Sequence, residues 1–306
     1  MKILIACSKN SGRIAPFITE QVNALSEHGV KTDYFTIEQK GWKGYLKSRA
    51  SLLKKIKEFQ PDIIHAHYGL SGLLANTQRK IPVITTYHGS DINNNTVFRF
   101  SKLSIILSAH NIFVSQKNIV KAGVKKYFSL IPCGVNTSLF YPQDKKECRA
   151  KLNLDIAKKY VLFAGAFDNS VKNPSLAKSA VSKLNNVELL ELKGYSREEI
   201  VQLINAVDVC LMTSHSEGSP QFIKEAMACG CPIVSVNVGD VEEVIKNTAD
   251  CYVSDKYDAD EIADKLEIVL KSNRKTNGRE RVIELGLDAE NTLERIIEIY
   301  NQLKIK

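Results

Sequence analysis

The sequence predicts an α/β protein built as two Rossmann-like domains in series, facing one another across a ligand cleft. Three observations lead there. The chain has 306 residues, enough for two domains of ordinary size, each with its own core. Short apolar runs alternate with amphipathic stretches along its whole length, the pattern of repeated βα units that feed a mostly parallel sheet. That pattern restarts once, after a polar, proline-ended stretch at residues 135–142 that reads as a linker. The expected domains are 1–142 and 143–306, with the last helix, about 291–306, a candidate for packing back on the first.

In the first half, strands are expected at 2–7, 31–36, 62–66, 82–86, 111–115 and 128–131, and residues 14–28 read as the first helix, stopped by Gly29. In the second half, strands are expected at 159–164, 187–192, 207–212, 232–236 and 250–253. Helices at 174–184, 196–205, 220–229 and 259–271 separate or follow them, and 291–303 is the last. In such sheets a ligand sits beyond the carboxyl ends of the strands.

Composition narrows the function. With 44% hydrophobic and 25% charged residues the chain is an ordinary globular protein and not a disordered one. The net charge of +8 is unevenly spread: residues 1–142 hold 19 Lys and Arg against 7 acids, net +12, and residues 143–306 hold 23 against 27, net −4. A basic half suits nucleic acid, an anionic substrate or a membrane surface. No nucleic-acid motif accompanies the basic residues, which makes that partner the least expected. Seven scattered cysteines without a CxxC pair favour reduced thiols and a cytoplasmic setting. The apolar run at 3–7 is too short for a signal segment, and no stretch reaches the ~20 apolar residues of a membrane-spanning helix.

The chemistry concentrates in residues 208–234. A buried strand ends near Met212, a polar loop carries Glu217 and Gly218, and Ser219 is placed to cap a helix with Pro220 at its first position. The helix N-terminus then offers N–H groups and partial positive charge to an anion. Glu217 belongs to the loop and Glu225 to the helix, on a face shared with Gln221 and Ala228. Two carboxylates so placed suit hydroxyl groups at two points around one bound diphosphate, because a carboxylate accepts two hydrogen bonds from a vicinal diol. The alternative is a capping acid plus a solvated helix acid.

The run Glu217-Gly218-x-Pro220-x4-Glu225-Ala226-x-Ala228-x-Gly230-x-Pro232, followed by Val238-Gly239-Asp240-Val241-x-Glu243, closely resembles the double-glutamate signature of glycosyltransferase family 4. The rest of the chain supports it: His65-Ala66-His67, Thr86-Tyr87-His88-Gly89-Ser90-Asp91, and Ile131-Pro132-Cys133-Gly134-Val135-Asn136-x3-Phe140-x-Pro142 stand where that family has its other elements. The resemblance implies the GT-B fold and retaining transfer of a sugar from a nucleotide-diphosphate sugar, with the leaving phosphate helping to deprotonate the acceptor. It implies that Glu225 binds the ribose hydroxyls, and that Glu217, with Gly218, Ser219 and Pro220, holds the sugar ring. Lys172, in the segment that begins at Gly165, would neutralise the diphosphate. His88 would line the cleft from the first domain, and the Ser11-Gly12-Arg13 turn, with Asp91, would approach the phosphates or acceptor. A lysine and a helix N-terminus can stabilise the leaving charge without a metal, so none is expected, nor any other cofactor. The Asp258-Ala259-Asp260 triplet opens an amphipathic helix and reads as a cap.

There are departures. Where the family has a second diphosphate contact, an arginine six residues before the lysine, this chain has Ala166; the paired glycines of the first loop are reduced to Gly12, and the junction aspartate is Asn136. The segment 192–196 is short for a base-binding loop. A non-catalytic nucleotide-sugar-binding subunit and a nucleotide-sugar epimerase are the competing functions. The acceptor is expected to be a glycan or a lipid-linked glycan, as in cell-surface polysaccharide or glycolipid assembly.

His65 and His67 are assigned to opposite faces of their strand, one to the core and one towards the ligand. His88 follows a strand and precedes Gly89, which allows close backbone approach; Asp91 either orients it or caps the next segment. Cys229 and Cys231 lack partner ligands for a metal. Between Lys40 and Lys57 lie seven basic residues and no acid, interleaved with Trp42, Tyr45, Leu46, Leu52, Leu53 and Ile56. This stretch either lies on an anionic membrane, aromatic side down, or is a solvated amphipathic helix, or meets a diphosphate-linked lipid acceptor.

Overall fold

The computed structural model describes residues 1–10, 12–39, 41–272 and 274–304, without the side chains of Trp42 and Leu46. Ser11 and Lys40 lie outside the described residues. The chain divides into two compact units, Met1–Gly134 with Ala289–Lys306, and Val135–Asp288.

The first unit holds six strands: β1 Lys2–Ser8, β2 Lys31–Ile37, β3 Ile63–His67, β4 Val83–Tyr87, β5 His110–Phe113 and β6 Phe128–Leu130. They form one parallel sheet in the order β2-β1-β3-β4-β5-β6. Alternation along β1 feeds two cores, as a sheet covered on both faces requires. Leu4 and Ala6 pack with Phe35, Ile37 and Leu52. Ile3, Ile5 and Cys7 face the other way, against Ile18, Val22 and Leu25 of the helix Pro16–Glu27 and Leu293, Ile296, Ile299 and Tyr300 of the terminal helix Ala289–Lys304.

The second unit holds β7 Lys159–Phe163, β8 Val187–Glu191, β9 Val209–Met212, β10 Ile233–Val236 and β11 Cys251–Ser254, parallel, in the order β11-β10-β9-β7-β8. Its core begins earlier than the expected boundary at 142. Val135 and Phe140 are fully buried in it, Val135 N–H donates to the Leu287 carbonyl (2.9 Å), and Arg279 donates to the carbonyls of Phe140 and Thr137. The polar residues between those two anchors had suggested a linker. At the other end, the chain returns to the first unit at Ala289.

In each sheet the chain changes direction of growth at one place: β1 lies between β2 and β3, and β7 lies between β8 and β9. The loops that leave neighbouring strands at such a switch point diverge and leave a crevice at the carboxyl edge. In the second unit those are the loops after β7 and β9, which contain Lys172 and Glu217.

The basic stretch folds as the helices Gly41–Lys47 and Arg49–Phe59. Tyr45 and Leu52 are buried in the core, so they are not available to lie on lipid. Lys43, Lys47, Arg49, Lys54 and Lys57 are exposed, and Lys55 pairs with Asp33 at 2.6 Å. Among the described residues no helix is long and apolar enough to cross a membrane.

Gly72, in the helix Gly69–Asn76, packs where a Cβ would fall 2.3 Å from Ser104 Oγ and 2.4 Å from Thr85 Oγ1. Those hydroxyls belong to a buried network in which Tyr87 OH donates to Ser104 (3.1 Å) and Thr85 meets Ser108 (2.8 Å). Gly72→Ala is therefore expected to cost about 1–3 kcal/mol by overpacking, read as a lower urea midpoint at unchanged slope; an unaltered midpoint contradicts this packing.

Candidate active site

The second unit brings Lys172 and Glu217 together. The loop after β7 runs through a short 3-10 turn, Ser170–Lys172, in which the Asn169 side chain accepts the Val171 N–H (3.1 Å). Thr213, just beyond β9, donates its hydroxyl to the carbonyls of Lys172 (3.0 Å) and Asn173 (2.9 Å), and His215 N–H donates to the Val171 carbonyl (2.9 Å). With the two loops so fastened, Lys172 Nζ reaches Glu217 Oε1 at 2.6 Å, both side chains half-buried. Gly165 is required beside them, because a Cβ there would lie 2.7 Å from Lys172 Cγ.

Glu225 sits in the helix Gln221–Ala228 and is only 4% exposed. Its Oε1 pairs with Arg197 at 2.9 Å. Arg197 opens the helix Arg197–Ala206, which a capping box between Ser196 and Glu199 starts, and its guanidinium lies over the Phe140 ring at 4.7 Å. Each glutamate is thus held by a cation from a different neighbouring segment. The alternative of a capping acid and a solvated helix acid is overturned by this burial and pairing.

Ser219 does not cap the helix. Pro220 is the N-cap and no side chain bonds there; the chain turns into the helix one residue later than expected. The Ser219 hydroxyl instead accepts from Lys224 Nζ (3.1 Å), a lysine 1% exposed, and bonds the buried Asp240 carboxylate. Burial raises the Asp240 pKa, against the Lys224 charge and the Ser219 hydrogen bond, which lower it. Gly239 (φ 59°) packs so tightly on Gly218 that a Cβ would approach its carbonyl oxygen to 2.6 Å. Gly218 and Ser219 are therefore gripped from behind by the 239–240 turn.

The first unit gathers its histidines. His65 and His67 share a face, as residues two apart on a strand must, and both are fully buried, their rings stacked 4.7 Å apart. The expected division between core and ligand side therefore fails. His65 meets Tyr300 OH (2.5 Å) and Thr86 Oγ1 (2.7 Å), and His67 Nδ1 meets His88 Nε2 (3.0 Å). His88 is half-buried, its Nδ1 3.6 Å from Cys133 Sγ, with Phe17 and Tyr68 against its ring. Asp91, 2% exposed, accepts the N–H groups of Gly69, His88 and Gly89, each at 3.0 Å. It fastens the turn after β3 to the turn after β4. Gly12 (φ 85°) closes a turn onto Lys9 and Arg13 is exposed. Arg13 and Asp91 line one open cavity of about 450 Å³ with Asn10, Tyr45, Tyr68 and Asn94.

Arg197, Lys224 and the His67–His88 contact are what sequence reasoning missed. The capping box at Ser196 was a visible start signal for the helix that carries Arg197, but nothing local pairs it with Glu225. Lys224 stood out only as a charge beside an otherwise apolar helix face. Asp258 caps its helix as expected, accepting from Asp260 N–H (2.8 Å) and Glu261 N–H (3.3 Å). All seven cysteines are free, Cys210 and Cys231 with sulfurs 3.6 Å apart. No cluster of three or more metal-ligating side chains occurs among the described residues.

Two parallel-sheet Rossmann-like domains in one chain place it in the GT-B fold class. The model of Glycosyltransferase Family 4 matches residues 16–139 and that of Glycosyl transferases group 1 matches residues 187–286. Glycosyltransferase family models thus match both halves of the chain, the Family 4 model within the first and the group 1 model within the second. It is 23% identical over 267 residues to a D-inositol 3-phosphate glycosyltransferase of Mycobacterium marinum (71% of this chain, 57% of the relative). It is 24% identical over 230 residues to a putative teichuronic acid biosynthesis glycosyltransferase, TuaC, of Bacillus subtilis (64% and 58%). The chain thus spans 57–58% of the length of these curated relatives. Among solved structures, sucrose-phosphate synthase from Thermosynechococcus elongatus shares the fold with a TM-score of 0.86 at 20% identity, over 99% of this chain and 98% of that one. HepE of Anabaena, in complex with UDP and glucose, does so at 0.76 and 17%, over 99% and 100%.

Burial pushes the Asp91 carboxyl up to about 6 from its ordinary 3.8, against backbone N–H bonds from Gly69, Gly89 and His88 that pull it down. The folded state therefore binds this proton more tightly than the unfolded state. The stabilisation is full below pH 4 and is lost as pH rises to about 6. The stability difference between wild type and Asp91→Asn, from urea melts, is expected to shrink across that window. A difference flat with pH contradicts the assignment.

Proposed function

We propose that the protein is a retaining glycosyltransferase that moves a sugar from a nucleoside-diphosphate sugar to an acceptor hydroxyl. The observation that carries this reading is the pairing of Lys172 with Glu217 and of Arg197 with Glu225 around one strand–loop–helix unit. Breaking the bond between the anomeric carbon and phosphate leaves negative charge on the diphosphate. Lys172 is the cation placed to meet it, exchanging a carboxylate oxygen for a phosphate oxygen. That exchange frees Glu217 for the sugar hydroxyls, beside the backbone of Gly218 and Ser219.

Glu225 is suited to the ribose diol. A carboxylate has about four acceptor positions, so Oε1 can keep Arg197 while the other oxygen takes hydroxyls. Burial makes each such bond stronger than it would be in water. No metal and no further cofactor enter this scheme, since Lys172 and the first N–H groups of the helix supply the positive field. Retention follows if the leaving phosphate takes the acceptor proton on the face it departs from. His88 and the Gly12–Arg13 turn are assigned to the acceptor side of the reaction.

The curated relatives' names point to inositol phosphate and teichuronic acid chemistry, and the +12 charge of residues 1–142 suits an acceptor that carries phosphate or carboxylate. We place the protein in surface polysaccharide or glycolipid assembly, with a lipid-linked or glycan acceptor. The exposed basic face of the two helices between residues 41 and 59 is the surface for an anionic membrane, by charge alone. Ala166 favours a second reading, a subunit that binds nucleotide sugar without turning it over.

By calorimetry, Glu225→Ala is expected to weaken UDP binding roughly tenfold, about 1.4 kcal/mol, and Glu225→Gln to weaken it less; wild-type affinity in both removes the ribose assignment. Lys172→Ala should chiefly lower the rate of donor hydrolysis. A wild-type protein that binds donor and releases no nucleoside diphosphate is the non-catalytic subunit, and one that converts the sugar without acceptor is an epimerase. Co-sedimentation with phosphatidylglycerol vesicles should be strong at low salt and lost at high salt; equal recovery in the supernatant with and without vesicles sinks the membrane contact.

A further inference from the structure

We propose that His67 is a positioning residue for His88, holding its imidazole neutral with the ring proton on Nδ1. The inference rests on the assignment of His88 to the reaction. It is carried by a stack of three rings at the carboxyl ends of β3 and β4: His65 on His67 at 4.7 Å and 22°, and His67 on His88 at 5.3 Å and 20°.

Burial, with the neighbouring imidazole adding to it, pushes His65 and His67 well below the ordinary imidazole range, so both are neutral. A neutral imidazole has one N–H and one bare nitrogen. His65 spends its two nitrogens on Tyr300 OH and Thr86 Oγ1. His67 differs. Its Nδ1 meets His88 Nε2 at 3.0 Å, and its Nε2 is buried with no hydrogen-bond partner among the described residues.

A buried N–H without an acceptor is rarer than a buried acceptor left short of a donor. The His67 proton therefore sits on Nδ1, and His67 donates to His88. His88 Nε2 must then be the bare nitrogen, which places the His88 proton on Nδ1, the atom 3.6 Å from Cys133 Sγ.

The rest of the pocket fixes the plane of the ring. Phe17 and Tyr68 lie against it at 4.8 and 4.6 Å. Tyr68 is held at φ 73°, a conformation that costs a non-glycine residue energy and that clusters at functional sites. Asp91 holds the His88 backbone N–H. His88 so held keeps its Nδ1–H in one fixed orientation, beside Cys133 Sγ. It has no free Nε2 with which to act as a base.

Histidine-selective 15N spectra of the intact protein test this directly. In the wild type, His88 should show a protonated Nδ1 and a bare Nε2. His67→Asn, whose amide nitrogen can stand in for Nδ1, should keep that tautomer, and His67→Leu should lose it. A wild-type His88 protonated on Nε2, or an unchanged tautomer in His67→Leu, overturns the proposal. In donor hydrolysis, kcat should fall roughly tenfold or more in His67→Leu at unchanged donor KM and recover in His67→Asn; an unaltered kcat in His67→Leu also overturns it. A wild type with no turnover strikes the transferase reading alone, because the spectra still decide the role of His67. If the leucine variant does not fold, the wild-type spectrum decides.

Discussion

The contact between Lys172 and Glu217 depends on one topological fact, that β7 lies between β8 and β9. A strand with neighbours on both sides sends its loop between theirs, and Thr213 ties the loop after β7 to the end of β9 through two carbonyls. Without that fastening, a lysine and a glutamate 45 residues apart would be two solvated surface charges worth little to one another. With it they share one place. The helix that follows β8, at the edge of the sheet, contributes Arg197 to Glu225, so two cations reach two carboxylates from two different connections.

These pairs are better understood as a way of holding charge ready than as a source of stability. Bringing a carboxylate and an ammonium out of water costs nearly what their attraction returns. What the arrangement secures is position. Glu225 and Lys172 are each kept in one geometry by an oppositely charged partner. The tight seat of Gly239 on Gly218, and the Lys224–Ser219–Asp240 cluster behind it, make the same point for the backbone of that loop.

Much of this was legible from the residues. Every strand lies within two residues of where apolar runs and turn residues put it, since a period of two or a short buried run is a local property. Local signals placed Glu217 on a loop and Glu225 on a helix, whereas Lys172 was singled out by the family resemblance alone. The partners were not legible. Arg197 finds Glu225, and Asp240 finds Ser219, only once strands have been ordered, and sequence spacing carries no record of that order. The linker reading of residues 135–142 failed for a related reason: Val135 and Phe140 are two anchors in a polar run, too few to show as a pattern. The two strand histidines were misassigned although the alternation rule alone places His65 and His67 on one side.

The terminal helix Ala289–Lys304 completes the first unit's core with Leu293, Ile296, Ile299 and Tyr300, and Tyr300 also bonds His65. During synthesis this has a temporal consequence. The first 134 residues leave the ribosome with one face of their sheet only partly covered, and the helix that completes it is made after the whole of the second unit. Domains made first generally fold first, but here Val135–Asp288 is the contiguous unit, with its core drawn from its own span. Tyr300, the hydrogen-bond partner of His65, is thus supplied by one of the last segments of the chain to be made.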